Sequence, residues 1–259
     1  MTNLQGILMD LDGVLFVGDS AIEGAVEAVA RVKSSRLRCR FITNTSTVSR
    51  DILVSKLQGL GFEIAASEIF SAPRAAASLL RGIPNAACFL LVAEDVRSEF
   101  QGLREVELEK ADYIVLGDIG DSWSHELLNR IFNRLMNGTR LIAIHKNRYW
   151  QTSAGLTLDI GGLVTALEYC SGVGATVVGK PSADFFRLAL GDMGLPAARV
   201  AVVGDDVDSD VGGGQMAGLF GILVRTGKFR RAQVEASRVE PDMIIDSVRH
   251  LLPLFGLEN

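Results

Sequence analysis

The sequence predicts an α/β fold: a doubly wound, Rossmann-like parallel sheet with helices on both faces. Three observations support this. Short β-rich runs alternate with longer helical patterns through most of the 259 residues, the rhythm of strand–helix–strand units. The β runs are continuously apolar rather than alternating, as strands buried on both faces must be. Acidic residues directly follow the first run, and open α/β sheets bind ligands beyond the carboxyl ends of their strands.

Taken in order, Gly6-Ile7-Leu8-Met9 is a short apolar run that ends in acid. Glu23 to Ser34 carries Ala25, Val26, Val29 and Ala30 at helical spacing. Cys39–Ile42 reads as the next strand, and Arg50 to Leu60 as a helix with Ile52, Leu53 and Leu57 on one face. Further strands are expected at Cys88–Val92, Tyr113–Leu116, Leu141–Ile144, Thr176–Val178, Val200–Val203 and Gly221–Val224, with helical patterns between most of them.

Composition narrows the function. Hydrophobic residues make up 48% and charged residues 22%, which suits one large folded domain or two modest ones. A net charge of −5 argues against a bulk binder of nucleic acid or anionic membrane. Cys39, Cys88 and Cys170 are far apart and show neither zinc-ligand nor CxxC spacing, so a reducing compartment is expected. Asp10 and Asp12 interrupt the first apolar stretch, so no signal peptide is expected, and no run approaches the ~20 residues that span a bilayer. The expected location is cytoplasmic.

The chemistry-bearing residues sit in two blocks near the ends of the chain. Asp10-Leu11-Asp12-Gly13-Val14 places two carboxylates on a tight turn after the first strand, where their repulsion calls for a cation. A solvated acidic turn is the plainer reading. Val200–Val203 leads into Gly204, Asp205 and Asp206, with Asp208 and Asp210 following. Carboxylates so concentrated suit Mg²⁺, which takes one or two and completes its shell with water and substrate phosphate. Acids favoured by a helix dipole would explain Asp208 and Asp210, though not the whole cluster. Gly212–Ala217 matches a loosened dinucleotide fingerprint, but the aspartates occupy the first turn after the strand, so close helix packing is the better reading. Thr43 ends the second strand and Lys180 follows a later one. Alone, each is a helix cap or a surface charge. With the acid clusters they make four strand ends able to converge on a phosphoryl group, the hydroxyl and ammonium gripping its oxygens.

Asp10-x-Asp12-Gly13-Val14, Thr43, Gly179-Lys180-Pro181-Ser182 and Gly204-Asp205 with Asp210 resemble, in order, the four motifs of the haloacid dehalogenase superfamily of phosphohydrolases. The 136 residues between Thr43 and Lys180 resemble the subfamily that inserts a large α/β cap between the second and third motifs. Ile144–Asn147, Ala166–Tyr169 and Val224–Lys228 resemble segments of the phospholysine phosphohistidine inorganic pyrophosphate phosphatase group and of the related haloacid dehalogenase-like domain-containing hydrolases. The resemblance implies a catalytic core of residues 1–77 and 177–259 and a cap of 78–176. It implies Asp10 as nucleophile, Asp12 as acid and then base, and Thr43 and Lys180 as holders of the phosphoryl oxygens. Mg²⁺ would lie between Asp10, the Asp12 carbonyl and Asp205, with Asp206 and Asp210 in support. Asn44, Thr45, Lys146 and Asn147 are the candidate substrate contacts. The implied partner is a small phosphorylated molecule, without nucleic acid or membrane, and a homodimer through the cap stays open.

Two other functions fit parts of this pattern. A receiver-type phospho-acceptor also uses aspartates, a hydroxyl and a lysine at strand ends, but the chain is about twice too long and Asp12 would shorten the phosphoryl lifetime. A metal-free dehalogenase would have no use for Asp205.

Overall fold

The computed structural model describes residues 4–152 and 155–257. Density of internal contacts divides them into two compact α/β units. The first comprises residues up to Thr43, Arg50–Phe70 and Lys180 onwards; the second comprises Asn44–Ser49 and Ser71–Gly179.

The first unit is built on a six-stranded sheet. Its order is Met243–Ile245, Phe220–Val224, Val200–Gly204, Gly6–Asp10, Arg38–Thr43 and Ile69–Ser71. The first five are parallel neighbours. Gly6–Asp10 is central and wholly buried, with Ile7, Leu8 and Met9 at 0% exposure. Burying side chains of this kind is worth about 1.5–3 kcal/mol each, which is why the run is apolar on both faces. Helices Ala25–Ser34 and Ala183–Met193 bury one stripe each, Val29 and Val32 on the first, Phe185 and Phe186 on the second.

Register decides what meets at the carboxyl edge. Met9 pairs with Val203 on one side and with Phe41 on the other, and Asp10 pairs with Ile42. Three adjacent parallel strands therefore end at the same level. Asp10, Thr43 and the Gly204–Asp205 step emerge together, where the strand order reverses.

The second unit has its own parallel sheet, ordered Thr176–Val177, Arg140–Ala143, Tyr113–Leu116, Ala87–Leu91 and Arg104–Glu105. Ile114, Leu116, Leu141 and Ala143 pack with Ile131 and Leu135 of the His125–Met136 helix and Val164 of the Gly161–Ser171 helix. The limits of this unit depart from the 78–176 that the family resemblance implies. The Ala72–Arg81 helix belongs to it, and Arg81 donates 2.7 Å to the Glu99 carbonyl. Thr176–Val177 pairs with Ile142 and Ala143 of its sheet. The Asn44–Ser49 segment, expected in the core, also groups with it.

Other differences are local. Ile52 is 44% exposed, so only Leu53 and Leu57 form the buried stripe of Arg50–Gly59. The edge strands Ile69–Ser71 and Met243–Ile245 have only three residues each and give no periodic signal. The glycine run after Asp210 opens a helix, as the packing reading expects. A Cβ at Gly213 would lie 2.6 Å from the Phe186 ring. Among the described residues, no helix is long and apolar enough to cross a membrane.

Candidate active site

Asp10 is 6% exposed at the end of the central strand. Lys180, 4% exposed, donates to Asp10 Oδ1 at 2.7 Å and to Asp210 Oδ1 at 2.6 Å. One buried ammonium thus bridges two buried carboxylates. Carboxylate oxygens of Asp10, Asp205 and Asp210 lie within 4.8 Å of one another. Asp205 is 2% exposed. Its Oδ2 accepts from the Lys228 main-chain N–H at 2.6 Å, while its Oδ1 is buried with no hydrogen-bond partner among the described residues.

The backbone is shaped around Asp205. Gly13 and Gly227 both have positive φ, 84° and 60°, and a Cβ on them would fall 1.8 Å and 2.1 Å from Asp205 Oδ2. Only glycine lets both turns approach so closely. The Thr226 hydroxyl ties them together by donating to the Gly13 carbonyl at 2.5 Å.

Electrostatics follow from burial. The Asp10 carboxyl is pushed up to about 6, first by burial and then by the Asp210 charge, against the pull of Lys180 and Lys228. Asp205 is pushed up to about 8 by burial and by the charges of Asp10 and Asp210. Burial opposes the charged form of Lys180, but its two carboxylate partners outweigh that and hold it above its ordinary value. A pocket with more acid than base, a buried carboxylate oxygen lacking a donor and all-oxygen side chains fits a hard divalent cation. Asp10 and Asp205 are the side chains that would hold it.

Asp12 is exposed and stands outside the three-carboxylate cluster. Thr43 is buried at the end of its strand. Asp206 turns away from the cluster to cap the next helical turn, accepting from Asp208 N at 3.0 Å and Ser209 N at 2.9 Å. Asp210 corrects the dipole reading: it is 1% exposed and bonded to Lys180, whereas Asp208 is exposed and accepts from Ser237. Asn44 and Thr45 are half-buried in the second unit. There too, Lys146 is ion-paired with Glu168, and the Asn147 carbonyl accepts from Gly161 N at 3.0 Å. Sequence reasoning had not assigned a role to Thr226, Gly227 or Lys228. The available signal was a Thr-Gly-Lys turn two residues beyond another strand end.

A buried aspartate at the end of the central strand is salt-bridged to a lysine beside two further aspartates. Comparison with known proteins gives the family. Residues 7–104 match the family described as haloacid dehalogenase-like hydrolase, and residues 177–251 match a related HAD-hydrolase-like family. The human phospholysine phosphohistidine inorganic pyrophosphate phosphatase is 40% identical over 98% of this chain and 95% of its own length. The human haloacid dehalogenase-like hydrolase domain-containing protein 2 is 38% identical over 95% and 94%. Among solved structures, the p-nitrophenyl phosphatase from Archaeoglobus fulgidus superposes with a TM-score of 0.91 at 32% identity, covering 97% of this chain and 99% of that one. The chain belongs to the haloacid dehalogenase-like hydrolases and is an enzyme of that family.

Proposed function

We propose that this enzyme is a Mg²⁺-dependent phosphatase that hydrolyses a small phosphorylated molecule through an aspartyl-phosphate on Asp10. The observation that carries the reading is the buried Asp10–Lys180–Asp210 chain beside Asp205, whose Oδ1 has no donor among the described residues. Bound there, Mg²⁺ would neutralise the repulsion between the acidic pocket and a phosphate dianion.

The chain's own residues supply the other steps. Asp10, whose carboxyl titrates near 6, is mostly ionised at neutral pH and attacks phosphorus through one oxygen as the P–O bond to the leaving group breaks. Lys180 and Thr43 offer an ammonium and a hydroxyl to the phosphoryl oxygens. Asp12 gives its proton to the leaving oxygen. It then takes one from the water that attacks the aspartyl-phosphate, releasing inorganic phosphate and restoring the Asp10 carboxylate. Asp210 holds Lys180 in place, and Asp206 shapes the turn that carries Asp210. A metal-free dehalogenase would leave the crowded carboxylates uncompensated.

We assign the choice of phosphoester to the second unit as a cap. Support comes from its insertion in sequence between Thr43 and Lys180 and from the polar pair Lys146 and Asn147. The test is release of inorganic phosphate from a panel of small phosphorylated molecules by the full chain. Multiple turnovers with Mg²⁺, none in chelator and none for Asp10→Asn are expected. A single stoichiometric, persistent phosphorylation would point to a receiver-like protein, and full activity in chelator would overturn the metal assignment.

A further inference from the structure

Within the second unit, His145 and Ser46 form a buried pair that the proposed chemistry does not use. They are 4% and 3% exposed, and Ser46 Oγ lies 2.9 Å from His145 Nε2. His145 Nδ1 is buried with no hydrogen-bond partner among the described residues and faces Asp159 Oδ1 at 3.9 Å. That arrangement selects the tautomer. A bare Nδ1 lone pair aimed at a carboxylate would be repelled, whereas an Nδ1–H is attracted. Nε2 is then the acceptor, and the Ser46 hydroxyl donates to it. Burial holds the ring below its ordinary pKa despite Asp159 and Asp118, the acidic groups that face it, so the imidazole is neutral at pH 7.

The pair's place in the chain gives it meaning. Ser46 lies in the Asn44–Ser49 segment, which starts one residue after Thr43 and groups with the second unit. The return crossing lies at Gly179–Lys180. Gly179 N donates to the Ile144 carbonyl at 2.7 Å, one residue before His145. A Cβ at Gly179 would sit 2.6 Å from that carbonyl and 2.7 Å from Asn44 Oδ1. Both chain crossings, each adjoining a proposed phosphoryl-gripping residue, are thus fastened within the second unit around the end of one strand.

Building on the phosphatase reading, we infer that His145 is a positioning residue: by accepting the Ser46 hydroxyl it fixes the Asn44–Ser49 segment, and with it the main chain that leaves Thr43. Loss of the pair should weaken substrate capture more than turnover.

The test compares the full-length wild type with Ser46→Ala, His145→Ala, the double variant and His145→Gln, whose amide oxygen can replace the acceptor. With p-nitrophenyl phosphate and Mg²⁺, each alanine variant should raise KM about 3- to 10-fold, the worth of one buried hydrogen bond, with kcat within about twofold. The double variant should be no worse than the more affected single, because both remove one interaction. His145→Gln should recover much of the wild-type KM. Ring-nitrogen NMR should show wild-type His145 as a neutral Nδ1–H tautomer whose Nε2 shift changes in Ser46→Ala.

A loss of active protein with KM unchanged would overturn the inference in favour of a merely structural role, as would additive effects or an Nε2–H tautomer. Should His145→Ala fail to fold, Ser46→Ala and His145→Gln still decide it. A wild type that turns over no phosphoester would defeat the phosphatase reading, and the ring-nitrogen shifts would then decide the pair on their own.

Discussion

If the acidic cluster holds a divalent cation, binding must expel the protons that burial keeps there. With Asp205 pushed up to about 8 and Asp10 to about 6 by burial and mutual repulsion, the metal-free cluster still holds protons at pH 7, chiefly on Asp205. Mg²⁺ needs both carboxylates ionised, so its binding should release about one proton at pH 7. The release should be larger at pH 5 and fall towards zero by pH 9, so apparent affinity should rise with pH across that range. Isothermal titration in buffers of different ionisation enthalpy at each pH reads the proton count directly, without any substrate. Asp205→Asn should remove most of the proton release at pH 7 and weaken binding markedly. A release that is zero at pH 7, or constant from pH 5 to 9, would refute the assignment of the cation to these two residues.

The remaining predictions follow from the same contacts. In the chelated protein the sign of the pH dependence is set by carboxyls raised above their unfolded value. The folded state keeps protons that the unfolded state has lost, so their contribution to stability is complete below about pH 4 and falls by several kcal/mol as pH rises through 6 and 8. Thermal melts in chelator should show the fall and Mg²⁺ should reverse most of it; a melting temperature rising over that range would contradict the buried cluster. Lys180→Met strands Asp10 and Asp210 without their ammonium and should cost about 3–5 kcal/mol in denaturant unfolding at neutral pH, together with nearly all turnover. Asp12→Asn should lower kcat by about 10²–10⁴-fold, yet leave the melting temperature nearly unchanged because the side chain is exposed; a large loss of stability would show that Asp12 has a structural role.

The sequence shows the fold wherever burial is complete. Gly6–Asp10, Tyr113–Leu116 and Val200–Gly204 read as strands because helices cover both sides and every position must be apolar. Met243–Ile245 escapes notice because it is an edge strand with Ile244 40% exposed, so no pattern is imposed on it. The same contrast holds at the site. Asp10, Thr43, Lys180 and Asp205 are visible because each stands at a strand end, a position that can be read locally. Asp210 is four residues beyond Asp206 on a wide helical turn, and only the fold shows that Asp206 caps that turn while Asp210 points inward to Lys180. The pairing of Lys146 with Glu168, 22 residues on, is likewise set by packing and leaves no local signature.

Three buried carboxylates face the positive charges of Lys180 and Lys228, which leaves room for a further cation. The Lys180 ammonium bridges Asp10 and Asp210, both buried, and the Lys228 charge only partly offsets the burial of Asp205. Asp205 accepts one main-chain N–H on Oδ2 and, among the described residues, no hydrogen bond on Oδ1. Left alone, the cheapest state for such a carboxylate is the protonated one, which is where burial has driven it. A proton on Asp205 removes the repulsion but offers no charge to an incoming phosphate dianion; a divalent cation does both. The pocket is therefore metastable towards metal, because the features that make Asp205 unfavourable as an anion are also those that give a cation its advantage over a proton. Filling Oδ1 with an internal donor would relieve that strain on stability and weaken the site at the same stroke.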